Sequence, residues 1–600
     1  RWKPDHLQDK PGGVRCCNFM NSYLSVNPRN EGRMSVAPGK IPSRNLRQQL
    51  VTLDKHLWTL LLLAVLYPMS APRMVRAADE PTSFTRQTPG GFELTISSSG
   101  LNRVTLGDRT VAEGQWTLIE EEAGDLDRAT VETLKDDGLR VQRTREHATT
   151  TFTYRINGED LTITAYVENH HPEKTLSIPS FGSLTFRFRG TPPTNQPTKH
   201  SQWGWLNRAR PRSDRGHMHP GWGNRMGGSY ASDAEYGIGA TPLNRTFSRT
   251  HLKWDGGPDS NERNLAYHIE KPIPPGAART IRIGLRLSRK RNWRHLLQPY
   301  KDHFTDLYGG QHYETDHRFV AMTVISAGVW RSPSNPYGFA HHKRIHKAKH
   351  ARDFAQRMSQ RIRAANGQGE IIWANTGWDQ RGCMFRTDFD VMPPEVQSNW
   401  SILTGAFRNR GRKLGVCVRP AQLTYRVHWY GDNYTWRDGT DPAQTDKIWE
   451  RIENMMDRGC TIFYLDVFGH KYDHIPLARE LRERMGPEIM TYAEHPTDAS
   501  LAYHGAYMSI KWNPKRGYYL FWGLEDVWEV CRWLLDDPVG VGAIHHSIYR
   551  QKEKPEIRPQ RWAYENGLSP LVMDHNFNDM SPDELRSMQA EYLTENGQWK

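Results

Sequence analysis

Cysteine is scarce in this chain of 600 residues, which has only six. None of the six forms a CxxC pair, and their spacing matches no zinc-binding pattern, which excludes the common structural zinc modules. Cys417 and Cys460 lie on or beside apolar, strand-like runs. We therefore expect the cysteines beyond the amino-terminal segment to be buried free thiols.

The amino-terminal segment lacks an apolar run of the ~20 residues that a helix needs to cross a bilayer. Its apolar stretch, LWTLLLLAVL at 57–66, follows Lys55 and is ended by Pro68. A small-x-small pattern then closes at Ala77, which is typical of a signal peptide cut near that residue. A retained membrane anchor is the alternative. We expect an exported protein, secreted or periplasmic, without stable membrane insertion after cleavage.

A basic stripe with interleaved aromatic residues is also missing. The formal net charge is +13, but residues 1–79 alone hold 12 Lys and Arg against 5 Asp and Glu. The remainder of the chain has 68 basic against 62 acidic residues, and these are interspersed. The pattern does not follow a phosphate backbone, so we expect no nucleic-acid partner.

Aromatic residues, in contrast, are abundant, with 21 Trp and 24 Tyr. Most residues of this kind belong to cores and interfaces, but exposed aromatic rings also bind the faces of sugars. An oligo- or polysaccharide substrate is therefore the partner that the composition favours.

The chain divides by pattern into four segments. Residues 1–80 are the upstream segment with the signal peptide, and 81–290 are short alternating runs that predict an antiparallel β-sandwich. Asn157-Gly158, between TFTYRI and LTITAYVE, predicts a hairpin there. Residues 291–317 have a helical period and predict a linker helix.

From 318 to 600 the pattern becomes strand, loop and helix in alternation. Eight apolar runs are candidate strands: 319–326, 370–378, 413–420, 460–469, 488–495, 506–512, 539–546 and 569–574. Eight strands with helical crossovers fit a (β/α)8 TIM-type barrel better than an open sheet. The predicted fold is thus multidomain, with the β-sandwich followed by the barrel.

Active sites of such barrels form where the strands end. The fourth candidate strand ends in Asp466, and the fifth ends in Glu494. An ionised carboxylate that ends an apolar strand is costly to desolvate unless it has a partner or a function. Neighbouring strands would place the two side by side, as the carboxylate pair of a glycosidase. Asp498 is the rival acid to Glu494.

Polar and aromatic residues at the other strand ends are candidates for substrate binding, because a sugar needs an aromatic platform and charged hydrogen-bonding groups. They are Trp378, Asp379, Arg381, Arg419, His470, His495, Lys511, Trp512, Asp574 and His575.

An Asp after the fourth strand and a Glu after the fifth, carried by FYLDVFG and TYAEH behind a large sandwich, resemble the α-amylase-like and endo-α-N-acetylgalactosaminidase-like α-glycosidases. The resemblance covers 81–600 as architecture. It implies a retaining enzyme in which Asp466 is the nucleophile, Glu494 the acid/base and Asp574 a stabilising carboxylate. Tyr464 stands where amylase-like enzymes have an arginine, which argues against that branch.

The sequence therefore predicts an exported glycoside hydrolase that cleaves α-linked glycans. A noncatalytic glycan-binding protein that keeps the barrel is the alternative, since fold alone does not prove activity. A metal-assisted barrel hydrolase using His470, His474, His495 and His545 is a third option, although these lack a tight ligand spacing such as HExxH. No cofactor is expected, and a structural calcium in the sandwich stays open.

Overall fold

Ser83–Lys600 forms one compact unit in the computed structural model. The structure describes residues 83–119, 126–135, 138–176, 180–189, 228–244, 250–255, 261–269, 272–324, 347–373, 389, 394–418, 420, 422–428, 431–436, 442–465, 468, 475–493, 498–513, 517–520, 532–536, 541–545, 557–565, 567–573 and 580–600. Within these ranges no helix is long and apolar enough to cross a membrane. The predicted signal peptide lies outside them.

The first part of this unit consists of two antiparallel sheets of seven strands each. Their strands are β1 (Phe84–Gln87), β2 (Phe92–Ser97), β3 (Gly100–Leu106), β4 (Arg109–Ile119), β5 (Leu126–Thr133), β6 (Leu139–Arg145), β7 (Ala148–Asn157), β8 (Asp160–Asn169), β9 (Ser180–Arg187), β10 (Ser229–Ser232), β11 (Gly237–Pro242), β12 (Thr250–Asp255), β13 (Glu262–Ile269) and β14 (Ala278–Ser288). The first sheet has the order β1-β2-β3-β4-β9-β13-β12, and the second β10-β11-β14-β8-β7-β6-β5.

The two sheets share one hydrophobic core because their strands alternate apolar and polar residues. Phe92 and Leu94 of β2 are fully buried, as are Phe152 of β7 and Ile163 of β8 in the other sheet, and all belong to one cluster. Intervening residues such as Glu93 are exposed. This arrangement confirms the predicted antiparallel sandwich.

The predicted hairpin is present between β7 and β8. Asn157 pairs with Asp160, so the two-residue turn is Gly158-Glu159 rather than Asn157-Gly158. Gly158 has a φ of 59°, a conformation that costs glycine little, which explains the one-residue offset.

Two helices, α1 (Trp293–Leu296) and α2 (Gln298–Tyr308), lie where one linker helix is predicted. The break follows from Pro299 at the start of α2, because proline has no backbone N–H to continue the first helix. Helix α1 packs on the sandwich at Gly239, where an added Cβ would collide with the carbonyl oxygen of Leu296.

The second part of the unit alternates strands with helices. Its strands are β15 (Val320–Val324), β16 (Gly369–Trp373), β17 (Lys413–Val418), β18 (Gln422–His428), β19 (Gly431–Trp436), β20 (Ile462–Leu465), β21 (Met490–Ala493), β22 (Gly505–Asn513), β23 (Gly517–Leu520), β24 (Val541–His545) and β25 (Ser569–Met573). Its helices are α3 (Ala348–Ala364), α4 (Pro394–Arg408), α5 (Pro442–Asp457), α6 (Ile475–Met485), α7 (Asp498–Leu501), α8 (Arg558–Glu565) and α9 (Pro582–Tyr592).

Eight of these strands are joined by parallel pairings that lead back to their starting point. β15 pairs with β16, and the series continues through β17, β20, β21, β22, β24 and β25. β25 in turn pairs with β15. We call these eight strands the ring. Each of the eight predicted apolar runs supplies one of its strands.

Two ring strands come unusually close to their neighbours at glycine positions. A Cβ at Gly415 of β17 would lie 2.5 Å from the carbonyl oxygen of Ile462, and one at Gly369 of β16 would meet the backbone of Lys413. Glycine is therefore required where the backbones of neighbouring strands approach so closely.

Three strands that the sequence pattern did not predict are also present. β18 and β19 form a separate two-stranded antiparallel sheet between β17 and α5. β23 pairs antiparallel with the last residues of β22. The expectation about thiols is confirmed for Cys417 and Cys460, which are buried thiols and form no disulfide bond.

Candidate active site

The two ends of the ring differ in the length of their connections. Six helix-to-strand connections at the amino ends, from α3 through α8, have only three or four residues. At the carboxyl ends, four residues separate β21 from α7. The separation from the next described helix is 8 to 23 residues for β15, β16, β17, β20, β24 and β25. Long connections at one end are where binding and catalytic groups usually lie. The carboxyl end is therefore the candidate active-site face.

Strands β20 and β21 are neighbours in the ring and carry the predicted carboxylates at their carboxyl ends. Tyr464 is the register partner of Tyr492, and Leu465 is the partner of Ala493. Asp466 and Glu494 are the next residues after these last partners. Both lie outside the described residues, so the separation of their carboxyl groups stays a prediction.

The alternation of β20 defines two faces. Phe463 and Leu465 belong to the core cluster that includes side chains of the surrounding helices, such as Met358 of α3. Because successive side chains of a strand point to opposite faces, Tyr464 must face the inside of the ring. Tyr464 is 2% exposed.

The same alternation holds in β21, where Ala493 belongs to the helix-facing cluster and Tyr492 is fully buried. Burial raises the pKa of the Tyr492 phenol, and the nearby Asp316 carboxylate adds to this effect. The phenol donates a hydrogen bond to the Met490 sulfur at 3.2 Å. Asp316 precedes β15, so the phenol of Tyr492 extends toward the amino ends of the eight ring strands.

These interior residues form the floor below the candidate site. Cys417 of β17 is the register partner of Tyr464, and Ile371 of β16 is the partner of Gly415. All four positions are buried. Tyr464 and Tyr492 stand two positions before the carboxylates and were not predicted as interior residues from the strand ends.

A buried carboxylate that was not predicted from the sequence lies on the other face of the ring strands. Glu370 of β16 is fully buried and accepts a hydrogen bond from the Thr323 hydroxyl of β15. Ile372, two residues further along β16, belongs to the helix-facing cluster. Glu370 therefore points away from the inside of the ring and is a structural residue.

Most of the predicted substrate-binding residues are not covered by the structure. Lys511 and Trp512 belong to β22, where they are register partners of Tyr519 and Tyr518, but their side chains are not described. The predicted residues that lie outside the described ranges are Trp378, Asp379, Arg381, Arg419, His470, His495, Asp574 and His575.

Among the described residues, no group of three or more His, Cys, Asp or Glu side chains comes together as a metal site. The histidines of the metal-assisted alternative contribute only His545 to these ranges, through its backbone in β24.

No protein-family profile and no curated protein sequence matches the chain. Among solved structures, the ligand-free α-N-acetylgalactosaminidase NagBb from Bifidobacterium bifidum aligns with a TM-score of 0.54 at 11% identity, covering 85% of this chain and 93% of that one.

A quadruple mutant of the same enzyme gives a TM-score of 0.55 at 12% identity, with the same coverage. An α-galactosidase from Thermus thermophilus aligns with a TM-score of only 0.39 at 13% identity over 77% of this chain and 94% of that one. At such identities the comparison concerns the fold alone. The chain is therefore similar in fold, over most of its length, to a bacterial α-N-acetylgalactosaminidase.

Proposed function

We propose that this protein is a glycoside hydrolase that cleaves α-linked glycans at the carboxyl end of a (β/α)8 barrel, with Asp466 and Glu494 as its carboxylate pair. The proposal rests on the register of β20 and β21. Leu465 is the register partner of Ala493, and each of the two is followed directly by an acidic residue. Neighbouring strands are about 4.8 Å apart. Two carboxylates at successive strand ends would thus be close enough to act on one glycosidic bond.

The alternation of the strands gives a second argument. Asp466 stands two residues after Tyr464, and Glu494 stands two residues after Tyr492. Side chains two residues apart on a strand point to the same face, which for these tyrosines is the inside of the ring. If each strand continues by one residue, both side chains point into the mouth of the ring rather than toward the helices.

In the proposed mechanism, Asp466 attacks the anomeric carbon while protonated Glu494 gives its proton to the departing oxygen. Glu494 then removes a proton from water, which attacks the glycosyl ester, so the anomeric configuration is retained. Asp498 is the rival for the acid role, and an inverting reaction is the alternative if the carboxyl groups are about 6.5–9.5 Å apart. The chemistry requires no cofactor.

The similarity in fold to the Bifidobacterium enzyme guides the choice of substrate. We propose aryl α-N-acetylgalactosaminide and aryl α-galactoside as the first compounds to test. Gly505 of β22 is the register partner of Tyr492, and Lys511 lies six residues after Gly505. An even separation along a strand puts both positions on the same face, so Lys511 would point to the inside of the ring. We propose that it binds substrate together with Trp378, Asp379, Arg381 and the other strand-end residues named above.

The test uses the full chain and the substitutions Asp466→Asn, Glu494→Gln and Asp498→Asn. We expect the first two to lower kcat by about 10³-fold or more, and the third to have little effect. Added azide should restore turnover in Asp466→Ala and give a glycosyl azide of inverted configuration. If wild-type protein binds glycans but cleaves none of the aryl glycosides, the noncatalytic alternative replaces this proposal.

We also propose that the protein is exported, through the apolar stretch at 57–66 with cleavage near Ala77. Amino-terminal sequencing of the protein recovered from its native host tests this: a mature chain that begins just after Ala77 supports export, and a chain that keeps 57–66 contradicts cleavage.

A further inference from the structure

A buried cation holds together the part of the chain between β20 and β22. Arg482 of α6 is 2% exposed. Its guanidinium donates hydrogen bonds to the carbonyl oxygens of Gly486, Ile489 and Tyr503, at 2.7, 2.8 and 2.7 Å. These carbonyls belong to the segments that follow α6, precede β21 and precede β22. Arg482 therefore fixes three backbone segments around one group.

Thr491 of β21 connects Arg482 to a buried histidine. The Thr491 side chain points toward the helices, because the adjacent Tyr492 faces the inside of the ring. The Thr491 hydroxyl accepts a hydrogen bond from Arg482 at 2.5 Å and lies 2.8 Å from the Nδ1 atom of His504. The Nε2 atom of His504 lies 3.1 Å from the carbonyl oxygen of Ala478 in α6. We call Arg482, Thr491 and His504 the relay.

The partners of His504 determine its tautomer. A carbonyl oxygen can only accept, so Nε2 carries the proton and donates it to Ala478, while Nδ1 accepts from the Thr491 hydroxyl. Burial lowers the pKa of His504 well below 6.5, and the nearby Arg482 charge lowers it further. The imidazole is therefore neutral and uses both of its nitrogens. Its role is to hold an orientation rather than to exchange a proton.

The imidazole of His504 also contacts the segment that follows β20. The ring centroids of Phe468 and His504 are 5.9 Å apart, with the rings at 71° in an edge arrangement. Both residues are fully buried. Phe468 stands two residues after Asp466, the proposed nucleophile. Thr491 stands three residues before Glu494, the proposed acid/base. One imidazole therefore contacts both the segment after the nucleophile and the strand that leads to the acid/base.

Packing alone does not require a histidine at this position. The neighbouring residues Ala478, Leu481 and Ala502 are fully buried members of the helix-facing cluster. An apolar side chain of similar volume would fill the same space without the cost of desolvating polar groups. Two hydrogen bonds add direction, because they fix the rotation of the His504 ring and so the edge that it presents to Phe468.

We propose that His504 is a positioning residue that sets the spacing of Asp466 and Glu494. It acts on the first through Phe468 and on the second through Thr491. This inference rests on the proposed function, because it concerns the same carboxylate pair. A displacement of about 1 Å at a reacting group can cost about 10²-fold in rate. Loss of the relay should therefore lower turnover, whereas substrate contacts at the other strand ends stay in place.

Kinetics of the full chain on an aryl α-glycoside give the first test. His504→Leu and Thr491→Val should each lower kcat about tenfold or more and leave KM within about twofold. Thr491→Ser keeps the hydroxyl and should keep the wild-type kcat. The matched control is His317→Leu, which removes another fully buried histidine, just before β15, and should lower stability without changing kcat. Each variant is assayed below its own unfolding transition.

A second measurement follows the spacing without any need for activity. In the double variant Asp466→Cys/Glu494→Cys, neighbouring strand ends should place the two Cα atoms within the range of a disulfide bond. We expect oxidised glutathione to form this bond, which peptide mass spectrometry quantifies. Adding Thr491→Val should slow its formation about fivefold or more, and adding His317→Leu should not.

The outcomes separate this inference from the proposed function. Wild-type kcat in Thr491→Val, or an unchanged rate of disulfide formation, would overturn the positioning role of His504. If wild-type protein hydrolyses no glycoside but the disulfide still depends on Thr491, the activity fails and the positioning role stands. Thr491→Val gives the result if His504→Leu does not fold. A double variant that forms no disulfide in any background would contradict both proposals.

Discussion

The Nε2 atom of His295 lies 2.7 Å from the Oε2 atom of Glu159, which ties helix α1 to the hairpin turn of the sandwich. Ser288 donates a hydrogen bond to the other oxygen of Glu159 at 2.8 Å, and Arg286 donates to the His295 carbonyl oxygen at 2.9 Å. These contacts link the sandwich to the segment that leads into the ring.

We expect Glu159→Gln to lower the free energy of unfolding by about 1–2 kcal/mol, because both partners are mostly buried and the Ser288 bond is also weakened. The matched control is Glu132→Gln, since Glu132 is 56% exposed in its pair with Arg140 and should cost about 0.5 kcal/mol or less. Urea denaturation of the two variants measures both values. Equal losses would contradict a structural role for the His295 contact.

The glycines of the sequence offer a paired test of packing. Gly415→Ala should destabilise the protein by about 2 kcal/mol or more, because its Cβ would lie 2.5 Å from the Ile462 carbonyl oxygen. Gly405→Ala, in the last turn of α4, meets nothing within 4 Å and should stabilise it by about 0.5–1 kcal/mol. Thermal unfolding distinguishes the two signs. A stabilising Gly415→Ala would mean that β17 and β20 are further apart than described.

Acid should destabilise the fold through His317, which lies just before β15. Burial lowers its pKa to about 4, from 6.5 in the unfolded chain. Between these values the unfolded chain binds a proton that the folded chain excludes, so stability is lost as the pH falls from 6.5 toward 4, by about 3 kcal/mol in all.

Urea denaturation at pH 7.5, 6 and 5 measures this effect. His317→Asn should make the dependence shallower by about 1.4 kcal/mol per pH unit in that window. His312→Asn, at an exposed position five residues earlier, is the control and should keep the wild-type slope. An unchanged slope in His317→Asn would show that other groups govern the acid response.

The β18–β19 hairpin follows the carboxyl end of β17, which is the ring neighbour of β20, the strand that leads to Asp466. We expect replacement of Gln422–Trp436 by a short Gly-Ser turn to keep the fold, because the two strands pair only with each other among the described strands. If the hairpin contacts the sugar chain beyond the cleaved bond, kcat/KM should fall about tenfold for an oligosaccharide and little for an aryl glycoside. Equal losses for both substrates would instead indicate a structural role.

The sequence was most informative where physical constraints are strongest. Strands that are covered on both faces need continuous apolar runs, so each ring strand could be predicted, including β20 and β21. The hairpin β18–β19 was missed because Trp429 and Tyr430, which separate the two strands in the sequence, are not typical of tight turns.

The candidate site was only partly predictable for a different reason. Asp466 and Glu494 could be proposed because a charged residue that ends an apolar strand is costly, and the structure adds the register that relates the two strands. Glu370 was missed because its hydrogen-bond partner Thr323 lies 47 residues earlier in the chain, on the neighbouring strand β15. Long-range pairing of this kind leaves no mark in the local sequence.

Closure of the ring determines which strand edges are left to start aggregation. Strands that each have two neighbours present no free edge to another molecule, whereas the two sandwich sheets end at β1, β12, β10 and β5. β5 has Asp127, Arg128 and Glu132 exposed along its length, a charge pattern that discourages pairing with a second chain. Aggregation under mild stress should therefore begin at the less charged edges of the sandwich, and solubility is best engineered there.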